Sequence, residues 1–216
     1  MSTTYESRSM FAGYSPLTNR DVDALLAGGT VGGRALVAAL YVLALRHTEA
    51  AALKWVDVDL ARGRIWIVAR KSGLGGYYPL PQAVTLLLAQ HQGCELAKHR
   101  GNLPEWVFPS AWTENGDGHT PQAPSRFSIL RRLQAQAKAC AVVLPFKMCT
   151  PLRHAAAQAL VDTGAPLSIA GAALRHKSLR STAVYCRPHS GGDGTADLAR
   201  RLRALLDQAQ ADASRR

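Results

Sequence analysis

The chain has 216 residues, 47% of them hydrophobic, and a formal net charge of +11. That length allows one domain with appendages, and the hydrophobic share excludes a disordered tail. The positive excess points to a polyanion, nucleic acid ahead of an anionic membrane, since no apolar run nears the roughly 20 residues that span a bilayer. The first 16 residues lack the basic-then-apolar layout of a secretory leader, so a cytoplasmic protein is expected. Cys94, Cys140, Cys149 and Cys186 form no CxxC pair and have no His at zinc spacing, which predicts free, mostly buried thiols and no metal.

Thr18 with Asp21 three residues later reads as a helix start, and Gly28–Gly29 as its stop. Leu36, Val37, Leu40, Leu43 and Ala44 form one apolar face of a second helix, expected to end near Arg46. Thr48 can then cap a third, running through Ala50, Leu53 and Trp55. Short runs at 56–60, 64–69 and 77–80, with turns at 62–63 and 73–76, predict a small three-stranded antiparallel sheet. Helical spacing returns at Val84, Leu87, Leu88 and His91, and again at Phe127, Leu130, Leu133 and Ala137, with a polar loop over 113–124 between them.

Thr150 and Pro151, as cap and first helical residue, open a further helix carrying Leu152, Ala155, Ala156 and Leu160 and stopping near Gly164. Short helices are expected at 167–174 and 181–185. A Gly-rich break at 190–194 precedes a final amphipathic helix with Leu198, Leu202, Leu205, Leu206 and Ala209 on one side. The fold class is mainly α with a small three-stranded antiparallel β-sheet.

Three segments carry the chemistry: LALRHTEAAALKW with Arg46, Glu49, Leu53 and Trp55; TPLRH with Thr150, Arg153 and His154; and LRHKSLRSTAVY with His176 and Tyr185. Together they resemble the catalytic domain of the tyrosine recombinase (phage integrase) family. There an arginine box is followed about a hundred residues later by His-x-x-Arg, a Leu-Gly-His and a tyrosine nine residues beyond that histidine. The resemblance runs from about Ser15 to Pro188. It divides the chain into a tail (1–14), a catalytic domain (15–189), and a Gly-rich tether with a C-terminal helix (190–216). An N-terminal DNA-clamping domain, usual in full-length members, is not evident, which suits a short form of the family.

The resemblance implies site-specific recombination of double-stranded DNA through a 3′-phosphotyrosine on Tyr185, without cofactor or metal. A phosphodiester is shielded by negative charge, so two guanidiniums, those of Arg46 and Arg153, suit its non-bridging oxygens. Tyr185, with an ordinary pKa near 10, needs nearby cations to favour its phenolate. Lys71, in the turn after the second strand, matches the family's lysine that protonates the leaving 5′-oxygen, with Lys54 and Arg70 as neighbouring competitors. His176 matches a phosphate donor. Glu49 reads as a helix-start charge partnering an arginine, and His154 as structural support.

Two positions depart from the family. Thr150 replaces a histidine and serves as phosphate contact or helix cap. Arg175 replaces the glycine of Leu-Gly-His, adding charge beside the site or straining its turn. These departures keep open a non-catalytic DNA-binding descendant, and the shared Arg, Lys, His and Tyr chemistry keeps open relaxation of the type IB topoisomerase kind. In the family the C-terminal helix passes to a neighbouring protomer, which implies a homotetramer on DNA and permits a free monomer.

Overall fold

Residues 17–68, 75–110, 123–145, 150–162, 164, 166–176, 178 and 182 are described in the computed structural model. α1 (Asn19–Ala27) opens on the expected reciprocal cap: Thr18 Oγ1 accepts the Asp21 N–H at 3.2 Å, and Asp21 Oδ2 accepts the Thr18 N–H at 2.9 Å. Gly29, at φ +70°, turns the chain into α2 (Val31–Tyr41). Every residue from Arg34 to Tyr41 is buried. A helix apolar on nearly all sides belongs at the centre, and α1, α4, α5 and α6 all pack against α2.

α2 ends at Tyr41, short of the expected Arg46. Ala44 takes the left-handed φ of +46°, and this non-helical turn leaves the Leu43 and Ala44 carbonyls free to accept bonds from distant arginines. α3 (His47–Ala52) is capped at Arg46, not Thr48. Glu49 supplies the cap by reaching back to the Arg46 N–H at 2.8 Å, which needs no hydroxyl residue at the cap itself. The helix stops before Trp55, which instead begins a turn of 3-10 helix, Trp55–Asp57.

The sheet follows with β1 (Val58–Asp59), β2 (Arg64–Ile67) and β3 (Gly76–Pro79), all antiparallel in the order β1-β2-β3. Ile65 and Ile67 face the core while Trp66 is largely exposed against Tyr77, the alternation a half-buried sheet requires. β1 and β2 are shorter than their sequence runs, because pairing extends only where a partner lies opposite, and β3 begins one residue earlier than its run.

α4 (Gln82–Lys98) buries Val84, Leu87, Leu88 and His91 as expected. The His91 ring stacks near Phe108, and its Nε2 lies 2.7 Å from the Val107 carbonyl. In α5 (Arg126–Ala139) the buried face is Ile129, Leu133, Gln136 and Ala137; the expected face holds at Leu133 and Ala137 and is corrected at exposed Phe127 and half-buried Leu130. Buried Gln136 is a polar addition to that face. Its amide donates to the Leu25 and Gly28 carbonyls at 2.8 Å each and accepts the Thr30 N–H at 3.2 Å, tying α5 to the α1–α2 turn.

α6 (Thr150–Asp162) includes Thr150 as its first residue, one position inside the expected cap. It buries Leu152, Ala156 and Ala157, and Gly164 follows at φ +71°. α7 (Leu167–Ala173) closes the described fold. Cys94 and Cys140 form no disulfide and are half-buried, more exposed than expected. No helix among the described residues is long and apolar enough to cross a membrane. The expected tail at 1–14, most of the 113–124 loop, the 181–185 helix apart from Thr182, and the segment 190–216 lie outside the described residues.

Candidate active site

Arg46 stands at the N-terminal end of α3, and its Nη1 donates to Glu49 Oε1 at 2.8 Å. The arginine side chain retains 24% exposure and the carboxylate 3%. Arg153, in the first turn of α6, is buried and donates through Nη1 to the Ala44 carbonyl and through Nη2 to the Leu174 carbonyl. α2's early end therefore has a consequence at the site: the Ala44 carbonyl just beyond it seats a guanidinium arriving from 109 residues away.

The end of α7 supplies the next two groups. The His176 N–H bonds back to the Gly171 carbonyl and the Arg175 N–H to the Ala172 carbonyl, both at 2.9 Å. This closing turn demands a left-handed residue at position 175, where Arg175 has φ +54°. Glycine adopts that conformation without penalty, whereas a side chain costs roughly 1–2 kcal/mol. Arg175 thus does both things the sequence suggested: it strains the turn and adds a charge. Its guanidinium is buried, donating to the Leu43 and Ala44 carbonyls at 2.8 Å each and to Glu49 Oε2 at 2.9 Å. It also lies 5.4 Å from the centre of the Tyr78 ring on β3, joining the sheet to this end of the molecule.

The electrostatics follow from that packing. Burial would raise the Glu49 carboxyl, but the Arg175 charge and the hydrogen bonds from Arg46 hold it below its ordinary value. His176 is pushed down to about 4, first by burial and then by Arg153, Arg46 and Arg175, so its imidazole is neutral near pH 7. Its Nδ1 lies 2.9 Å from Thr182 Oγ1. His154 is also lowered, by burial and by Arg153. Arg46 and Arg175 share one carboxylate and the Arg153 guanidinium donates to uncharged carbonyls, which leaves two net positive charges, with Arg46 the more exposed of the two ion-paired arginines. Such an arrangement can bind an anion with two or more oxygens.

A model of the phage integrase family matches residues 18–190. The chain belongs to that family. Tyrosine recombinase XerD of Pseudomonas putida is 28% identical to this family member over 176 residues, covering 78% of the chain and 56% of XerD. XerD of Ralstonia nicotianae is equally similar, so the chain spans just over half the length of these relatives. Among solved structures, XerA recombinase superposes with a TM-score of 0.65 at 18% identity, covering 88% of this chain and 65% of XerA. A lambda integrase dimer bound to a COC′ core site gives 0.59 at 17% identity, with coverage of 84% and 63%. The fold is therefore that of a tyrosine recombinase catalytic domain, mostly helical with a three-stranded sheet.

Of the integrase-type residues read from the sequence, the structure brings together Arg46, Glu49, Arg153 and His176, with His154 next to Arg153 in α6. Thr150 opens α6, but its side chain, like Lys71 and Tyr185, lies outside the described residues. Lys54, a competitor for the lysine role, is ion-paired with Glu105 at 2.6 Å. The hydrogen bond that Lys54 donates to Glu105 raises its pKa, which makes Lys54 a poorer proton donor. Among the described residues no group of three or more His, Cys, Asp or Glu could hold a metal ion. Sequence reasoning missed the Arg175–Glu49 pair and the Tyr78 contact. The departure from glycine at 175 was the available signal for the first, and nothing local marked the second.

Proposed function

We propose that this chain is a site-specific DNA recombinase that cleaves and rejoins double-stranded DNA through a 3′-phosphotyrosine at Tyr185. The observation that carries the reading is the convergence of Arg46 with Arg153 and neutral His176, which lie over 100 residues further along the chain, at the ends of three helices. DNA as partner is further supported by relatives of the same fold, among them a XerH recombinase bound to palindromic difH substrate.

The reaction follows from these groups. Arg46 and Arg153 hold the non-bridging oxygens of the scissile phosphate and stabilise charge as it builds at phosphorus. His176 is neutral; with the Thr182 hydroxyl donating to Nδ1, its Nε2–H is left to donate to a phosphate oxygen. The Tyr185 hydroxyl gives up its proton to solvent and its oxygen attacks phosphorus, forming the phosphotyrosine as the bond to the 5′-oxygen breaks. Lys71 gives that oxygen its proton. The reverse attack by a 5′-hydroxyl reseals the strand. The phosphoester is conserved throughout, so no energy source is consumed. The Tyr78–Arg175 contact supports Lys71, because it ties the strand following the Lys71 turn to the arginine cluster.

A nicked suicide duplex, built from the ends of the element carrying the gene, tests the reading. The wild-type chain should form a covalent protein–DNA band, and Tyr185→Phe should lose it while still binding DNA. A band that persists in Tyr185→Phe would falsify the nucleophile. Relaxed plasmid without recombinant product would favour the topoisomerase type of activity.

A further inference from the structure

We propose that Arg175 is a positioning residue that takes up the Glu49 carboxylate, so that Arg46 keeps its positive charge for a DNA phosphate. The inference rests on the recombinase reading and assigns a role to a residue that departs from the family pattern.

Glu49 is buried and has two cationic partners. Oε1 receives Arg46 Nη1 at 2.8 Å; Oε2 receives the Arg46 backbone N–H at 2.8 Å and Arg175 Nη2 at 2.9 Å. With Arg46 as sole counter-ion, this carboxylate would cancel the charge the phosphate needs. Arg175 changes the balance. Its side chain is 2% exposed, so it cannot itself meet DNA, whereas Arg46 remains open at 24%. Two guanidiniums share one carboxylate, so one positive charge is left over, and of the two arginines only Arg46 is open enough to offer it.

Arg175 acts on the second arginine too. The Ala44 carbonyl accepts from both Arg175 and Arg153, and Arg153 also donates to the carbonyl of Leu174, the preceding residue. One guanidinium therefore sets the α3 end, the 43–44 turn and the seat of Arg153. Backbone conformation points the same way. A left-handed non-glycine residue persists where its surroundings over-determine it, and four side-chain hydrogen bonds of Arg175, three of them buried, do so here.

The test separates neutralisation from scaffolding. Inorganic phosphate is titrated into the full chain and followed through the NMR signals of His176 and the arginine side chains; cleavage of the suicide duplex is measured in parallel. Arg175→Gly, which relieves the backbone strain, should weaken phosphate binding roughly tenfold, the effect of about one lost charge contact. Its cleavage rate should fall at least as far, with DNA affinity little changed. Adding Glu49→Gln should restore both, because a neutral amide no longer cancels Arg46. Arg175→Lys, which keeps the charge, should stay near wild type and guards against a misfolded glycine variant. The proposal is overturned if Arg175→Gly binds phosphate normally, or if Glu49→Gln deepens its defect. A wild-type chain that binds phosphate yet forms no covalent band would sink the recombinase reading and leave the Arg175 comparison standing.

Discussion

Burial of the His176 imidazole, and then the charges of Arg153, Arg46 and Arg175, make a positive charge there costly. The free protein should show a His176 titration near 4 in its imidazole proton signals, well below the ordinary 6.5. The sign for stability follows. Between about pH 6.5 and 4 the unfolded chain binds a proton at this site and the folded chain does not, so this contribution falls as pH falls through that window and levels off below it. Bound phosphate offsets the arginines and should move the midpoint upward. A titration near 6.5 in the free protein would mean that His176 is neither buried nor close to the arginines. For Lys71 the expectation is chemical: Lys71→Ala should cleave a 5′-phosphorothiolate duplex nearly normally, since sulfur leaves without protonation. Equal defects on oxygen and sulfur substrates would remove Lys71 from the proton-donor role. At this scale much was legible from residue type and spacing. What was not legible is the bonding between Arg175 and Glu49, 126 residues apart, because only folding brings a charge departure to its partner.

Helix ends were read less well than helix existence, for a consistent reason. α2 stops early because the carbonyls of Leu43 and Ala44 serve Arg175 and Arg153, partners that no local pattern announces. Thr48 looked like the better cap, yet Glu49 can satisfy the N–H of whatever residue precedes the helix. The face of α5 was read correctly at Leu133 and Ala137 but not at Phe127, and the buried polar Gln136 was missed because a hydrophobic template counts it as solvent-facing. The end of α5 also offers a prediction. The Val142 N–H bonds to the Ala137 carbonyl at 2.9 Å across Ala141, which sits at φ +54°. Glycine is strain-free there but loses more entropy on folding. Ala141→Gly should therefore stabilise the chain by about 0.5–1 kcal/mol, net of that entropy. A chemical denaturation midpoint that moves up with unchanged slope would agree; one that moves down would show that the turn is not left-handed in solution.

The architecture of the whole molecule was the most legible level, since periods of 3.6 and 2 residues separate a helical body from a three-stranded sheet whatever the exact boundaries. The fold then explains how the site is shared: α2 forms the centre, and α3, α6 and α7 each bring one end of a helix to a common place. Assembly is the remaining question at this scale. The segment beyond residue 190 carries Leu198, Leu202, Leu205 and Leu206 at helical spacing behind a Gly-rich stretch, and such an apolar stripe needs a groove to cover it. Exchange of this segment between protomers would link subunits on DNA into a homotetramer; docking on its own domain would leave the free chain monomeric. A chain ending at Ser190 keeps every element of the described fold. It should therefore remain folded and bind one DNA site with nearly wild-type affinity, since the basic groups around Arg46 and Arg153 are retained. It should fail to hold two sites together. Sedimentation with single and paired DNA sites distinguishes the two arrangements, and tetramers formed by the shortened chain would rule out exchange through this segment.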